Sequence, residues 1–141
     1  MSYMNNIGSG TARTQPLRSD EDVVHLRKVV RELSVEIGLG LVDQTKMITA
    51  SSELARNTLK YGNGGQALIT LLNNGMQSGL RIEFADQGPG IVDVQMALSD
   101  GYTTGGGLGL GLGGARRLVD EFKIDSEVGK GTTVTITKWK R

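Results

Sequence analysis

The apolar positions Val23, Leu26, Val30, Leu33 and Ile37 recur every three or four residues, the spacing that holds side chains on one stripe of an α-helix. Ser19 or Asp20 is placed to cap this helix, and "GLG" at residues 38–40 to end it. His25 falls on its opposite, solvent side. A second helix is predicted from about Asp43 to Tyr61, with Met47, Ala50, Leu54 and Thr58 on one face and "GNGG" as its stop. The period then changes. "QALITLLNN" and "GLRIEFAD" read as paired strands, the second alternating cleanly at Leu80, Ile82 and Phe84, with Gly75 and Gly79 in the turn region. A short helix is expected over 93–98. Leu112, Ala115, Leu118, Val119 and Phe122 suggest another, followed by a hairpin of "FKIDSEV", a "GKG" turn and "TTVTITKW". A short edge strand is expected at 15–18, and residues 1–14, small and polar without periodicity, read as a flexible arm before a single domain over 15–141.

The order of helices, hairpin, glycine-rich loop, helix and hairpin predicts an α+β two-layer sandwich, with helices on one face of a largely antiparallel sheet. A doubly wound parallel sheet would need regular alternation of strand and helix, which is absent.

Composition narrows the function. The 141 residues are 38% apolar with a net charge of +1, which suits one soluble domain. No run approaches the roughly 18 apolar residues of a membrane span and no secretory signal opens the chain, so the expected location is cytoplasmic. Cysteine is absent and histidine occurs once, which removes thiolate-held metals and imidazole clusters. No basic block suggests nucleic acid, and "KWKR" at 138–141 reads as a basic tip. Glycine is abundant, at 21 residues, and seven of these fall within 105–114. That concentration suggests a purpose for the loop.

Three segments carry candidate chemistry. Glu53 and Asn57 lie four apart on the second helix, about 40° from each other around its axis, beside the apolar stripe where a core edge meets a cleft. A carboxylate there can take a proton from a hydroxyl, and an amide oxygen can coordinate Mg²⁺ without adding charge beside phosphates; Lys60 could reach the same phosphates. Read blandly, this is an ordinary amphipathic helix. In "DQGPG", Asp86 ends a strand and could accept a hydrogen bond from an adenine amino group, while Gly88 and Gly90 allow a flat ligand to approach; read blandly, it is a turn. The loop "GGGLGLGLGG" precedes a helix, so its exposed amides suit phosphate oxygens and a lid over a triphosphate. "GLGLGG" formally matches a dinucleotide fingerprint, but "ALSDGYTTGGG" before it is no core strand, and no Walker-type sequence occurs.

Together the E-x-x-x-N helix, "DQGPG", the glycine loop and "GT" at 131–132, in that order, resemble the GHKL or Bergerat ATP-binding fold of histidine-kinase catalytic domains, gyrase-type ATPases and anti-sigma-factor kinases. Within that group "DQTKMITASSELARN", "DQGPGI", "GGLGLGLGGARRLVDEF" and "GTTVTITKW" resemble the RsbT-type switch kinases of the bacterial stressosome. The resemblance implies a two-layer α+β sandwich on a mixed, mostly antiparallel sheet, with ATP and Mg²⁺ as cofactors. It implies Glu53 as general base, Asn57 as Mg²⁺ ligand, Lys60 on the phosphates, Asp86 on adenine with Gly88 and Gly90 shaping the pocket, and Thr132 supporting it. The lid would comprise Thr103, Thr104, Gly105, Gly106, Gly107, Leu108, Gly109, Leu110 and Gly111, continuing to residue 114. The long lid and downstream domains of the gyrase and chaperone relatives have no counterpart here, which points to a compact protein kinase.

By the same resemblance the substrate is a serine or threonine of a STAS-domain scaffold or antagonist, and the released kinase binds and activates a PP2C-type phosphatase. Three alternatives share the pocket: an anti-sigma factor that binds a sigma factor directly, a histidine-kinase-like module, and a non-catalytic ATP-gated binding module. A phosphoacceptor histidine needs a dimeric helical hairpin, whereas His25 lies on a single helix.

Overall fold

The computed structural model describes residues 12–99 and 112–141. The elements are β1 (Ala12–Leu17), α1 (Asp20–Glu36), α2 (Leu41–Gly62), β2 (Gly65–Asn73), β3 (Ser78–Asp86), α3 (Val94–Leu98), α4 (Leu112–Leu118), β4 (Glu121–Glu127) and β5 (Gly131–Trp139). They match the sequence-based expectations closely. β1 begins three residues before the edge strand expected at 15–18, inside the segment read as an arm. α4 ends at Leu118, so Phe122, read as both the tail of a helix and the start of a strand, belongs to β4.

Each helix starts and stops for a local reason. Ser19 caps α1, its hydroxyl accepting from the amide of Asp22 at 3.3 Å, and Asp20, Glu21 and Asp22 place negative charge at the positive end of the helix dipole. α2 ends where Asn63 takes the left-handed conformation, φ 62°, and its N–H returns to the carbonyl of Thr58.

The five strands form one sheet in the order β1-β2-β3-β5-β4, and every ladder among the described residues is antiparallel. α1 and α2 pack together over one face. Between helices and sheet lies the core, with Leu26, Met47, Leu54, Ile69, Leu80, Ile82, Phe84 and Ile136 almost wholly buried. Burying side chains of this size contributes about 1.5–3 kcal/mol each before the entropy of ordering is set against it.

Register sorts the helix-facing side of the sheet into rows. Ile82, Ile136 and Phe122 stand opposite one another across β3, β5 and β4, and Phe84, Val134 and Ile124 form the next row. One step further the row is polar: Asp86, Thr132 and Ser126. At the other end, Leu80 faces Lys138.

Lys138 overturns the reading of "KWKR" as a basic tip. Alternation along β5 turns its side chain inward, where it is 4% exposed, and its ammonium lies 3.0 Å from the carbonyl of Leu118, 3.4 Å from Asp43 and 3.8 Å from Asp120. Arg141 also pairs with Asp120. Trp139 donates its backbone N–H to Asp120 and its ring N–H to Glu121. This buried charge cluster ties the first turn of α2 to the end of β5.

Candidate active site

Asp86 is the last residue of β3, on the helix-facing side of the sheet. Its Oδ1 accepts two backbone hydrogen bonds, from Gly88 at 2.9 Å and from Thr132 on β5 at 3.2 Å. The first closes a tight turn at the start of "DQGPG", and the second crosses to the neighbouring strand. With one oxygen held twice, the carboxylate has little freedom to rotate. Oδ2 has no hydrogen-bond partner among the described residues.

The glycines around it are needed for clearance. A Cβ on Gly88 would lie 2.7 Å from the backbone of Gly62, and one on Gly62 would lie 2.4 Å from the carboxylate carbon of Asp86. Gly90 has φ +79°, and a Cβ there would meet the carbonyl of Glu127 at 2.4 Å. The "DQGPG" loop is therefore packed between the end of α2 and the β4–β5 turn. Gly129 fastens it from the turn by donating to the carbonyl of Pro89 at 2.8 Å.

Between α2 and this end of the sheet opens a narrow cleft. It is lined by Asn57, Asp86, Gly90 and Thr132 with apolar and aromatic side chains, notably Leu54, Tyr61, Phe84, Ile91, Leu112 and Val134. A mostly apolar slot with a few placed polar atoms suits a flat heteroaromatic ligand.

Four of the expected site residues thus meet in one place. Gly88 is buried behind the carboxylate and shapes the loop without lining the cavity. Glu53 lies one turn before Asn57 at the exposed edge of α2, its side chain 43% exposed and its Oε1 3.4 Å from the guanidinium of Arg56. Lys60 is exposed and outside the lining, its ammonium 5.4 Å from the centre of the Tyr61 ring. Thr103, Thr104 and residues 105–111 of the expected lid lie outside the described residues.

Two contributors were not recognised in the sequence. Gly62 was read only as part of a helix stop. Ser126 sits inside "FKIDSEV", where inward alternation with Phe122 and Ile124 was a usable signal. Its hydroxyl accepts from the amide of Ile91 at 2.8 Å and lies 2.8 Å from that of Thr132.

Helices on one face of an antiparallel sheet, with a cleft between the longest helix and the sheet's end, define the class as a two-layer ATPase fold. The chain belongs to the histidine kinase-, DNA gyrase B- and HSP90-like ATPase family, whose model matches residues 42–141. It is 43% identical over 125 residues to the serine/threonine-protein kinase RsbT of Bacillus subtilis (strain 168), covering 89% of this chain and 94% of that protein. Over 117 residues it is 28% identical to an anti-sigma F factor of Thermoanaerobacter sp. (strain X514), covering 80% of this chain and 82% of that one. Among solved structures, that of the RsbU and RsbW domains of Rv1364c from Mycobacterium tuberculosis matches with a TM-score of 0.63 over 92% of this chain and 32% of the other. At 23% identity that likeness carries the fold alone.

Proposed function

We propose that this chain, a serine/threonine-protein kinase of the RsbT type, moves the terminal phosphoryl group of ATP onto a serine or threonine of a STAS-domain scaffold or antagonist in a partner-switching pathway. Once released, it binds and activates a PP2C-type phosphatase. The 43% identity to RsbT supports the enzyme class. The STAS and PP2C partners rest on the resemblance to stressosome switch kinases.

The single observation that carries the ligand reading is the twice-held carboxylate of Asp86, its second oxygen without a hydrogen-bond partner among the described residues and beside an apolar slot. That oxygen accepts a hydrogen bond from the amino group of adenine, and the Phe84, Ile91 and Val134 side chains bury the ring. Gly88 and Gly90 let the loop pack tightly behind the carboxylate, and Gly90 lines the slot. Thr132 flanks the same edge.

Asn57 contributes a neutral amide oxygen, a donor suited to Mg²⁺. Phosphate oxygens and water would complete the coordination of a cation held by Asn57. When bound, the cation neutralises charge on the phosphates. Lys60 and the lid residues Thr103 to Gly111 assist there. Glu53, at the mouth rather than inside the slot, is reachable by a hydroxyl carried on another protein, and takes its proton.

The test is to incubate the protein with γ-labelled ATP, Mg²⁺ and a STAS-domain protein. The expected product is an acid-stable phosphoserine or phosphothreonine on the partner. Absence of transfer to every such partner, or an acid-labile phosphohistidine, would overturn the reading.

The 28% identity to anti-sigma F factors supports a second reading, in which the chain holds a sigma factor directly. An ATP-dependent complex with a sigma factor, formed without any STAS-domain substrate, would favour it.

A further inference from the structure

Ser126 belongs to β4, yet its hydroxyl touches three parts of the pocket wall. It accepts from the amide of Ile91 at 2.8 Å, lies 2.8 Å from Oγ1 of Thr132, and reaches the carbonyl of Gly131 at 3.3 Å. A serine hydroxyl has one proton to give and two lone pairs, so these contacts use most of its capacity. It is partly buried beneath the pocket and has no described path to a reacting atom. The groups it holds are those that surround the ligand: Ile91 and Thr132 line the cavity, and the backbone of Thr132 in turn holds Asp86.

The same seam is tight on both sides. Gly90 packs against the carbonyl of Glu127, and Gly131, at φ +120°, leaves 2.2 Å between a would-be Cβ and the carbonyl of Asp86. Small displacements of the β4–β5 hairpin are therefore transmitted to the loop after Asp86, because neither side has slack to absorb them. From the hairpin side, Ser126 bonds across this seam to Ile91.

We propose that Ser126 is a positioning residue of the nucleotide site. Acting through Thr132 and Ile91, it sets the orientation of the Asp86 carboxylate and hence the preference for a purine bearing an amino group. The proposal rests on the reading of this cavity as an adenine-nucleotide site. Without the hydroxyl, the Ile91 amide loses its acceptor, Thr132 is free to rotate, and the strand end that fixes Oδ1 of Asp86 loosens. The ligand's amino group then meets a less well-aimed acceptor.

The experiment compares ATP with ITP, which carries a carbonyl oxygen where ATP carries the amino group. Equilibrium binding is measured for both nucleotides on wild type, Ser126→Ala and Ser126→Cys, the latter keeping a slightly larger group at the same place while weakening the hydrogen bonds. In Ser126→Ala, ATP affinity should fall roughly tenfold while ITP affinity stays within about twofold, compressing the preference. KM for ATP in phosphoryl transfer should rise with it, with kcat changing much less. Ser126→Cys should fall between. Ser126→Ala combined with Thr132→Val should be no worse than Thr132→Val within about twofold, because the two act as one unit.

An unchanged ATP-to-ITP ratio in both variants would overturn the proposal. So would equal weakening of both nucleotides together with a lowered unfolding temperature, which is the signature of a purely structural role. If Ser126→Ala does not fold, the ratio in Ser126→Cys decides. If wild type itself fails to prefer ATP, the adenine-site reading has failed, an outcome distinct from a failure of Ser126.

Discussion

Gly62, the last residue of α2, and Asp86, the last of β3, are so close that a Cβ on the glycine would stand 2.4 Å from the carboxylate carbon and 2.6 Å from Oδ2. The end of the long helix and the end of a central strand meet at Oδ2, the carboxylate oxygen that has no hydrogen-bond partner among the described residues. Any side chain on the helix would displace it.

Gly62→Ala should therefore lower nucleotide affinity at least tenfold while the protein stays folded. Alanine favours the helix by up to about 1 kcal/mol, but the contact with the carboxylate carbon and with Asp86 Cβ, at 2.5 Å, forces the aspartate aside. Titration calorimetry reads the affinity, and circular dichroism reads the helix. Wild-type affinity in the alanine variant would sink the view that this clearance matters.

Asp86→Asn keeps an oxygen for the amides of Gly88 and Thr132 and turns the ligand-facing group from acceptor to donor. Two donors then face each other in a low-dielectric slot. ATP binding should weaken about a hundredfold, more than ITP binding, as measured by competition with a fluorescent nucleotide.

Glu53→Gln should bind ATP as wild type does and lose roughly 10²- to 10⁴-fold in the rate of transfer to protein. Its side chain is 43% exposed and does not line the cavity, so affinity and chemistry should separate cleanly. Unchanged transfer measured in single-turnover assays would remove Glu53 from the role of base.

Lys138→Ala leaves Asp43 and Asp120, 20% and 16% exposed, without their central cation. Breaking a buried pair from one side costs about 3 kcal/mol, and Arg141, which also reaches both carboxylates, offsets part of that, so the midpoint of urea unfolding should fall. The cluster lies at the opposite end of β5 from Thr132, and nucleotide affinity of the folded fraction should be unchanged.

Ser51→Ala should stabilise the protein by about 0.5–1 kcal/mol, a rise in unfolding temperature of a few degrees. Its hydroxyl is fully buried in α2 without a hydrogen-bond partner among the described residues, and alanine removes that desolvated group while favouring the helix. A lower unfolding temperature by calorimetry would indicate a partner for the hydroxyl.

Most elements were readable because their causes are local. The stripe from Val23 to Leu33, the Ser19 cap and the alternation of Leu80, Ile82 and Phe84 are each decided within a few residues, and each appears where expected. Asn57, Asp86, Gly90 and Thr132 were legible as a set because their order along the chain resembles a known ATPase pattern, and they share one cavity. Phe122 was ambiguous because its inward position satisfied a helical and a strand period equally.

The sequence by itself determined the helices, the hairpins, the antiparallel pairing and the carboxylate at a strand end, since propensity, capping and alternation act over short range. Only the tertiary structure decided that Lys138 is a buried hub rather than a basic tip, that Gly62 is clearance for Asp86, and that Ser126 reaches Ile91. Those depend on strand register and on which ends of distant elements meet, and residues 35 positions apart carry no local signal that they will share a hydrogen bond.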